Sequence, residues 1–373
     1  MPATLPGTLY PPAFTLLLLA GCGAPTAPAQ VLDSGAQYVP GATWRTAAPA
    51  SAGFDGARVS ALTRDVSAGR FGAIDGLLIV RHGYLIVEHY SGWTREQAHT
   101  MQSVTKSVTS LLFGIAAQQE PTLALDRPVL DLFPQYGAPA NDDASKRALT
   151  LRHLLTMRTN LGFWEQPYPG SPLDQLNRSP GDWVKFILDR PMLGSPGAVW
   201  GYNSGAAIVA CGAIREATGE PLEGFARREL FEPLGIVNES WFKSPFDGLT
   251  HCGGGLNLRP VDLARIGYLV LRNGRWGDRQ IVSTSWIQES TQPYSRGSPV
   301  FFSPFGSGYG YFWWLFPGSR GGTDSGVIAA SGSGGQWLFV VPSLDLVVAL
   351  VATNGSGLDL FYDGVLPAVR RSE

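Results

Sequence analysis

The chain is poor in lysine: its 28 basic side chains include only four, Lys106, Lys146, Lys185 and Lys243, so each must be accounted for singly. It is also poor in charge altogether. Charged residues fill 16% of 373 positions, below the usual ~25%, and 28 basic groups face 30 acidic ones. That balance offers no field to nucleic acid or to an acidic lipid surface, and excludes both as partners recognised by charge. Three cysteines cannot frame a disulfide-rich scaffold; Cys211 and Cys252 are left either to pair or to remain two buried thiols. The five histidines, His82, His89, His99, His153 and His251, show neither an HExxH spacing nor a paired Cys/His spacing. The sequence therefore calls for no metal, and nothing in it calls for an organic cofactor. No segment repeats, and the 46 glycines and 28 prolines follow no period, which excludes collagen-like and solenoid architectures.

What is present begins with a processing segment. Residues 14–20 form an apolar run too short to cross a bilayer of about 30 Å. The run reads as the apolar part of an export signal, and Leu19-Ala20-Gly21-Cys22 resembles a bacterial lipoprotein cleavage site at which Cys22 would be acylated. Residues 1–22 are thus expected to direct export, and residues 23–48, rich in Ala, Pro, Gly and Thr, to form a flexible tether. The expected location is the periplasm or the cell envelope, with a membrane tether through lipidated Cys22.

One domain is expected over residues 49–370. Residues 74–80 and 84–88 are β-rich runs around the turn-forming Arg81-His82-Gly83, a hairpin pattern. From about residue 101 to 234 apolar residues recur at helical spacing, as in Val108, Leu111, Leu112 and Ile115, with long loops around 160–180. Helices are then expected over 260–273 and 284–291, and short strands over 309–316, 336–341 and 344–353. Strands at both ends with helices between predict an α+β fold: an antiparallel sheet flanked by terminal helices, with a mostly helical lobe, about 99–245, inserted. Residues 301–316 hold nine aromatics in sixteen positions, expected to divide between the core and a sheet face or apolar pocket.

The chemistry centres on Ser103-Val104-Thr105-Lys106, at the start of the strongest helical run. At i and i+3 the two side chains share one helix face, which brings an amine within reach of a hydroxyl. A serine is a poor nucleophile unless a neighbouring base takes its proton, and a lysine can do so when burial lowers its pKa from ~10.4 toward neutrality. A serine at a helix amino terminus also presents a backbone N–H that can stabilise an oxyanion. A second copy, Ser240-Trp241-Phe242-Lys243, lies among the turn formers Asn238 and Pro245 with no helical run after it, and reads as structural.

Three motifs in order carry a family resemblance: Ser103 to Lys106, Tyr202-Asn203-Ser204, and the glycine-rich Ser331-Gly332-Ser333-Gly334-Gly335-Gln336. With connecting text such as Leu151-Arg152-His153-Leu154-Leu155 and Glu232-Pro233-Leu234-Gly235, they resemble the serine β-lactamase and penicillin-binding-protein superfamily, in its class C-like and 6-aminohexanoate-oligomer-hydrolase-like branch. The resemblance implies a site between sheet and helical lobe, with Ser103 as nucleophile, Lys106 as base and Tyr202 as a second proton-handling group. It also implies substrate or oxyanion contacts from Ser204 and from Gly334, Gly335 and Gln336. Departures matter here. The family's lysine or histidine before the glycine-rich strand is missing, because Ala329 and Ala330 stand there and no lysine follows Lys243. The expectation is therefore a serine hydrolase of small neutral or amphipathic esters or linear amides. A β-lactamase or D-alanyl-D-alanine carboxypeptidase, which would need a cation such as Arg152, Arg158 or Arg265, and a non-turnover penicillin-binding or sensor protein are the alternatives.

Overall fold

In the computed structural model, which describes residues 38–296, 308–322 and 326–370, the first hairpin forms as its residues dictate. β1 (Gly72–Arg81) and β2 (Tyr84–Tyr90) pair antiparallel, and the two residues between them, His82 (φ 52°) and Gly83 (φ 72°), both take the left-handed backbone that a tight hairpin with strand twist requires. All described residues belong to one unit, Leu32–Glu373. Six further strands complete an antiparallel sheet: β3 (Ser295–Arg296), β4 (Gly308–Tyr309), β5 (Trp314–Phe316), β6 (Val327–Gly332), β7 (Gln336–Val341) and β8 (Leu346–Gly355). Among the described residues the order is β2-β1-β8-β7-β6-β5-β4-β3, so the first hairpin lies beside the last strand and both chain ends build one sheet. Leu77, Leu78, Ile79 and Val80 are all fully buried, which requires cover on both faces of β1.

That cover comes from terminal helices. α1 (Gly56–Ser67) starts at Asp55, whose carboxylate accepts from the N–H groups of Ala57 and Arg58, and it packs on β1 and on the C-terminal turns over 360–368. The lobe inserted between β2 and β3 is mostly helical, and two of its helices are buried on every side over most of their length. In α2 (Val104–Gln119) every residue from Val104 to Ala116 is buried; in α3 (Ser204–Thr218) every residue from Ser204 to Ile214 is. Such helices belong inside a core rather than on its surface, and these two pack against each other. α4 (Pro260–Leu271) crosses β1, β7 and β8, and its approach needs Gly267, where a Cβ would stand 2.6 Å from Leu338 and Val347 side-chain atoms. α5 (Thr284–Ser290) inserts Trp286 against Gly114 of α2 and donates its indole N–H to the Ser110 carbonyl at 2.9 Å.

Four expectations need correction. The tether does not extend to residue 48: Trp44 is 5% exposed and donates to the Gly83 carbonyl at 3.0 Å, and Arg45 lies between the rings of Tyr38 and Tyr84. Two aromatics and an arginine supply the apolar cover that the Ala/Pro/Gly background lacks. The strand expected over 309–316 is two strands around a turn, with Phe312 at φ 61°; Tyr309 and Tyr311 to Phe316 are all buried. The loop at 160–180 contains a helix, Pro172–Arg178, started by the Ser171 cap and a proline in the first turn. The last strand begins at Leu346, after Asp345 turns the chain at φ 47°. Cys22, residues 1–22, and the aromatics at 301, 302 and 305 lie outside the described residues.

Candidate active site

Ser103 is placed by a change of backbone direction. The short strand His99–Thr100 pairs with Leu256–Leu258, Gln102 turns the chain in the left-handed region (φ 46°), and α2 begins one residue after Ser103. Ser103 is thus the N-cap of α2, yet its side chain makes no capping bond. Its Oγ instead accepts a hydrogen bond from Lys106 Nζ at 2.8 Å and donates a long one to the Gly253 carbonyl at 3.4 Å.

Lys106 is only 1% exposed, and its three ammonium donors meet three acceptors: Ser103 Oγ at 2.8 Å, Ser204 Oγ at 2.8 Å and the Gly253 carbonyl at 2.6 Å. Burial pushes its pKa down to about 8, opposed by the negative charge of Glu165. The amine can therefore lose its proton just above neutral pH while sitting 2.8 Å from the hydroxyl it would deprotonate. Tyr202 stands over the same ammonium, its ring centroid 4.7 Å from Nζ, and its phenol is hydrogen-bonded with Ser103. Burial and then Glu165 raise the phenol's pKa, while the Ser103 bond lowers it, so this tyrosine holds its proton and can donate it.

One residue of this cluster is revised and two were not foreseen. The Ser204 hydroxyl, expected toward substrate, is turned onto Lys106, and its backbone N–H, in the first turn of α3, donates to the Glu165 carboxylate. Asn203, its neighbour, uses its amide to cap α3 and to reach Thr159, away from the site. Glu165 had no motif to announce it. It rides an irregular loop whose only sequence signals are turn residues, and it enters the site because the amino terminus of α3 favours a carboxylate. Gly253 was equally silent: a backbone carbonyl has no letter of its own. A Cβ at 253 would stand 2.7 Å from Ser204 Cβ, so glycine is what lets that carbonyl reach Lys106.

Two hollows open at Ser103, of about 570 Å³ and about 350 Å³. Both are bordered by Ser103, Glu165, Gln166 and Ser333. The larger adds Thr100, Asn257, Phe242 and His251; the smaller adds Tyr202, Trp314, Trp337 and the edge Ser331-Gly332. His251 is 6% exposed, burial and then Lys106 push its pKa down to about 4, and it therefore lines the larger hollow as a neutral ring. The Gln336 side chain does not face the site: its buried amide exchanges two hydrogen bonds with Ala352 of β8, at 2.5 and 3.0 Å, and the residue borders neither hollow. Gly334 (φ 86°) and Gly335 (φ 101°) make the tight turn between β6 and β7; Gly335 borders the smaller hollow and Gly334 borders neither. Ser333, one residue before these glycines, borders both hollows.

The Beta-lactamase family profile matches residues 59–364. The chain belongs to the beta-lactamase family. Within it, Esterase EstB of Burkholderia gladioli is 33% identical over 179 residues, 43% of this chain and 44% of that protein. The 6-aminohexanoate-dimer hydrolase of Paenarthrobacter ureafaciens is 23% identical over 295 residues, 75% of this chain and 72% of that one. The esterase match thus spans less than half the length of either protein. EstCE1, a hydrolase with promiscuous acyltransferase activity, shares the fold with a TM-score of 0.64 over 84% of this chain and 96% of its own at 19% identity.

Neither hollow is bordered by an arginine or lysine among the described residues, and Glu165 is the one carboxylate in both. Arg152 is tied to Asp126 and Tyr311, Arg158 to the Tyr294 carbonyl, and Arg265 to the carbonyls of Gly235 and Gly41. None of the three borders a hollow, so none supplies a partner for a β-lactam carboxylate.

Proposed function

We propose that the protein is a serine hydrolase that cleaves neutral or amphipathic small esters or linear amides through an acyl-enzyme on Ser103. The observation that carries this reading is the buried Lys106 amine held 2.8 Å from Ser103 Oγ. Above its pKa the amine takes the Ser103 proton as Oγ bonds to the substrate carbonyl carbon. The carbonyl oxygen gains negative charge between the backbone N–H groups of Ser103 and Ser333, of which the first lies outside the helix's own bonding ladder. Collapse of the tetrahedral intermediate breaks the bond to the leaving group, which takes a proton from Tyr202; the phenol regains it from Lys106. Water then attacks the acyl carbon, giving its proton to the same pair, and Ser103 departs with a proton restored. A carboxylate at the mouth, with no arginine or lysine bordering either hollow among the described residues, favours neutral or cationic substrates over anionic ones.

Residues 1–22 are read as an export signal, with acylation of Cys22 as the anchor, on the strength of the apolar run and the Leu19-Ala20-Gly21-Cys22 string. The mass of the mature amino terminus tests this. Catalysis is tested with p-nitrophenyl esters, nitrocefin and a 6-aminohexanoate dimer, on wild type and Ser103→Ala. The reading requires Ser103-dependent turnover of an ester or the dimer, and an acyl adduct on Ser103 by intact mass. An adduct that forms and never clears would instead mark a non-turnover acylated protein, and equal rates in wild type and Ser103→Ala would refute the hydrolase.

A further inference from the structure

Lys106 is held by two elements distant in sequence, and a single covalent link joins those two elements. Cys211 and Cys252 form a disulfide across 41 residues, with Cα atoms 6.3 Å apart and both side chains fully buried. Cys211 lies on α3 seven residues, two helical turns, beyond Ser204, and so on the same face of that helix. Cys252 immediately precedes Gly253. Ser204 Oγ and the Gly253 carbonyl are the two acceptors that hold Lys106 apart from Ser103 itself. Thr109, three residues after Lys106 on α2, completes the wedge: its Oγ1 donates to the Thr105 carbonyl at 3.0 Å and to the Cys252 carbonyl at 3.4 Å, with Cys211 Sγ 4.0 Å away. The Cys252 segment is a loop closed on itself, with one isolated bridge, Lys243 with Thr250, and backbone bonds such as Phe242 N–H to the Gly255 carbonyl and His251 N–H to the Phe242 carbonyl, both 2.8 Å; the disulfide is its covalent tie to α3.

The geometry points to Cys211 and Cys252 as positioning residues of the proposed acyl-transfer site, whose bond fixes the distance between the two halves of the Lys106 cradle. The inference rests on the reading of Lys106 as the base. Two thiols need more room than a bonded pair, and the surroundings are fully buried, so opening the bond pushes α3 and the Gly253 segment apart. Water then takes the place of the displaced acceptors around Lys106, so the ammonium keeps its hydrogen bonds and is no longer desolvated. Glu165 from the irregular loop, Tyr202 before α3 and His251 beside the disulfide are the titratable groups that face it, and none is on α2. Relief of burial moves the amine back up from about 8 toward the ordinary lysine range, so the rising limb of the rate against pH moves up with it.

The test compares oxidised wild type, wild type reduced with dithiothreitol, and Cys211→Ala/Cys252→Ala. Reduction breaks the S–S bond, two electrons and two protons pass from the dithiol to the cysteines, and the reagent closes to a cyclic disulfide. Thiol counting with Ellman's reagent reports the state of the bond, and a fluorophosphonate titration of Ser103 corrects each rate for the fraction of folded enzyme. Expected are an acylation rate per titrated site about tenfold lower at pH 7 and a limb displaced upward by about half a unit or more, in both the reduced protein and the double variant. A lower melting temperature with the same limb and the same rate per site would overturn the proposal, leaving the bond a stability staple. So would two free thiols in untreated protein. A wild type that hydrolyses esters through Ser103 with no limb near pH 8 would overturn the base assignment and this inference with it, whereas a limb present in wild type and unmoved by reduction would defeat the inference alone.

Discussion

Ser103-x-x-Lys106 and Ser240-x-x-Lys243 have the same letters and the same spacing, and they even adjoin one small sheet, since His99–Thr100 and Ser240–Trp241 flank Leu256–Leu258. Their surroundings separate them. The first pair stands on a helix, where i and i+3 share a face, and its lysine is sealed from water by three acceptors. The second begins on a strand, whose side chains alternate, so residues three apart point to opposite sides. Ser240 accepts from the Asn257 amide, and Lys243, with its side chain 40% exposed, pairs with Glu223. A motif of two residues becomes a nucleophile and base only where the backbone repeat aligns them and burial removes the competing water.

The largest expected break in this comparison comes from the serines. Ser103→Ala is expected to lower ester turnover by roughly 10³-fold or more and to abolish the acyl adduct, while Ser240→Ala leaves kcat/KM within about twofold; p-nitrophenyl ester kinetics and intact mass check both. Next come the lysines. Lys106→Ala should cost about 10²–10⁴-fold in kcat/KM and remove the limb near pH 8, above which the wild-type rate levels off because the amine is then neutral. Lys243→Ala removes an exposed ion pair worth ~1 kcal/mol or less, so its melting curve and pH profile should overlay the wild type's. Ser204→Ala sharpens the contrast from within the cradle. Loss of one acceptor disfavours the ammonium, so the limb should shift to lower pH while kcat falls about tenfold through poorer alignment of the amine. The smallest effect is expected from Glu165→Gln. Its carboxylate raises the pKa of Lys106, so the limb again moves down, and the ratio of kcat/KM for an anionic over a cationic ester of matched length should rise several-fold. An unchanged ratio would show that Glu165 takes no part in charge selection.

Much of the fold was legible because its signals are local. The β-rich runs and turn residues around His82-Gly83 specify β1 and β2, and the one-face apolar repeat of Val108, Leu111, Leu112 and Ile115 announces a helix. Ser103, Lys106 and Tyr202 could be found for the same reason: each sits in a short motif at a helix start. The rest depended on tertiary contact. Gly253 enters through its carbonyl, Glu165 through the amino terminus of a helix 39 residues away, and the Gln336 side chain is tied to Ala352 of the neighbouring strand, which no count along a glycine-rich segment foretells. Trp44 was lost in an Ala/Pro/Gly background whose average hid one anchoring ring.

The strap that carries Trp44 has a practical consequence. β2 ends the sheet, and on its open side Thr46 bridges Leu85 in parallel while Arg45 caps the hairpin turn through the carbonyls of His82 and Gly83. Shortened forms of the protein should therefore begin before Tyr38. Cutting at residue 48, where composition alone would invite the knife, strips the bare edge of β2 of its cover and leaves a row of unpaired amides that invites another chain to add a strand.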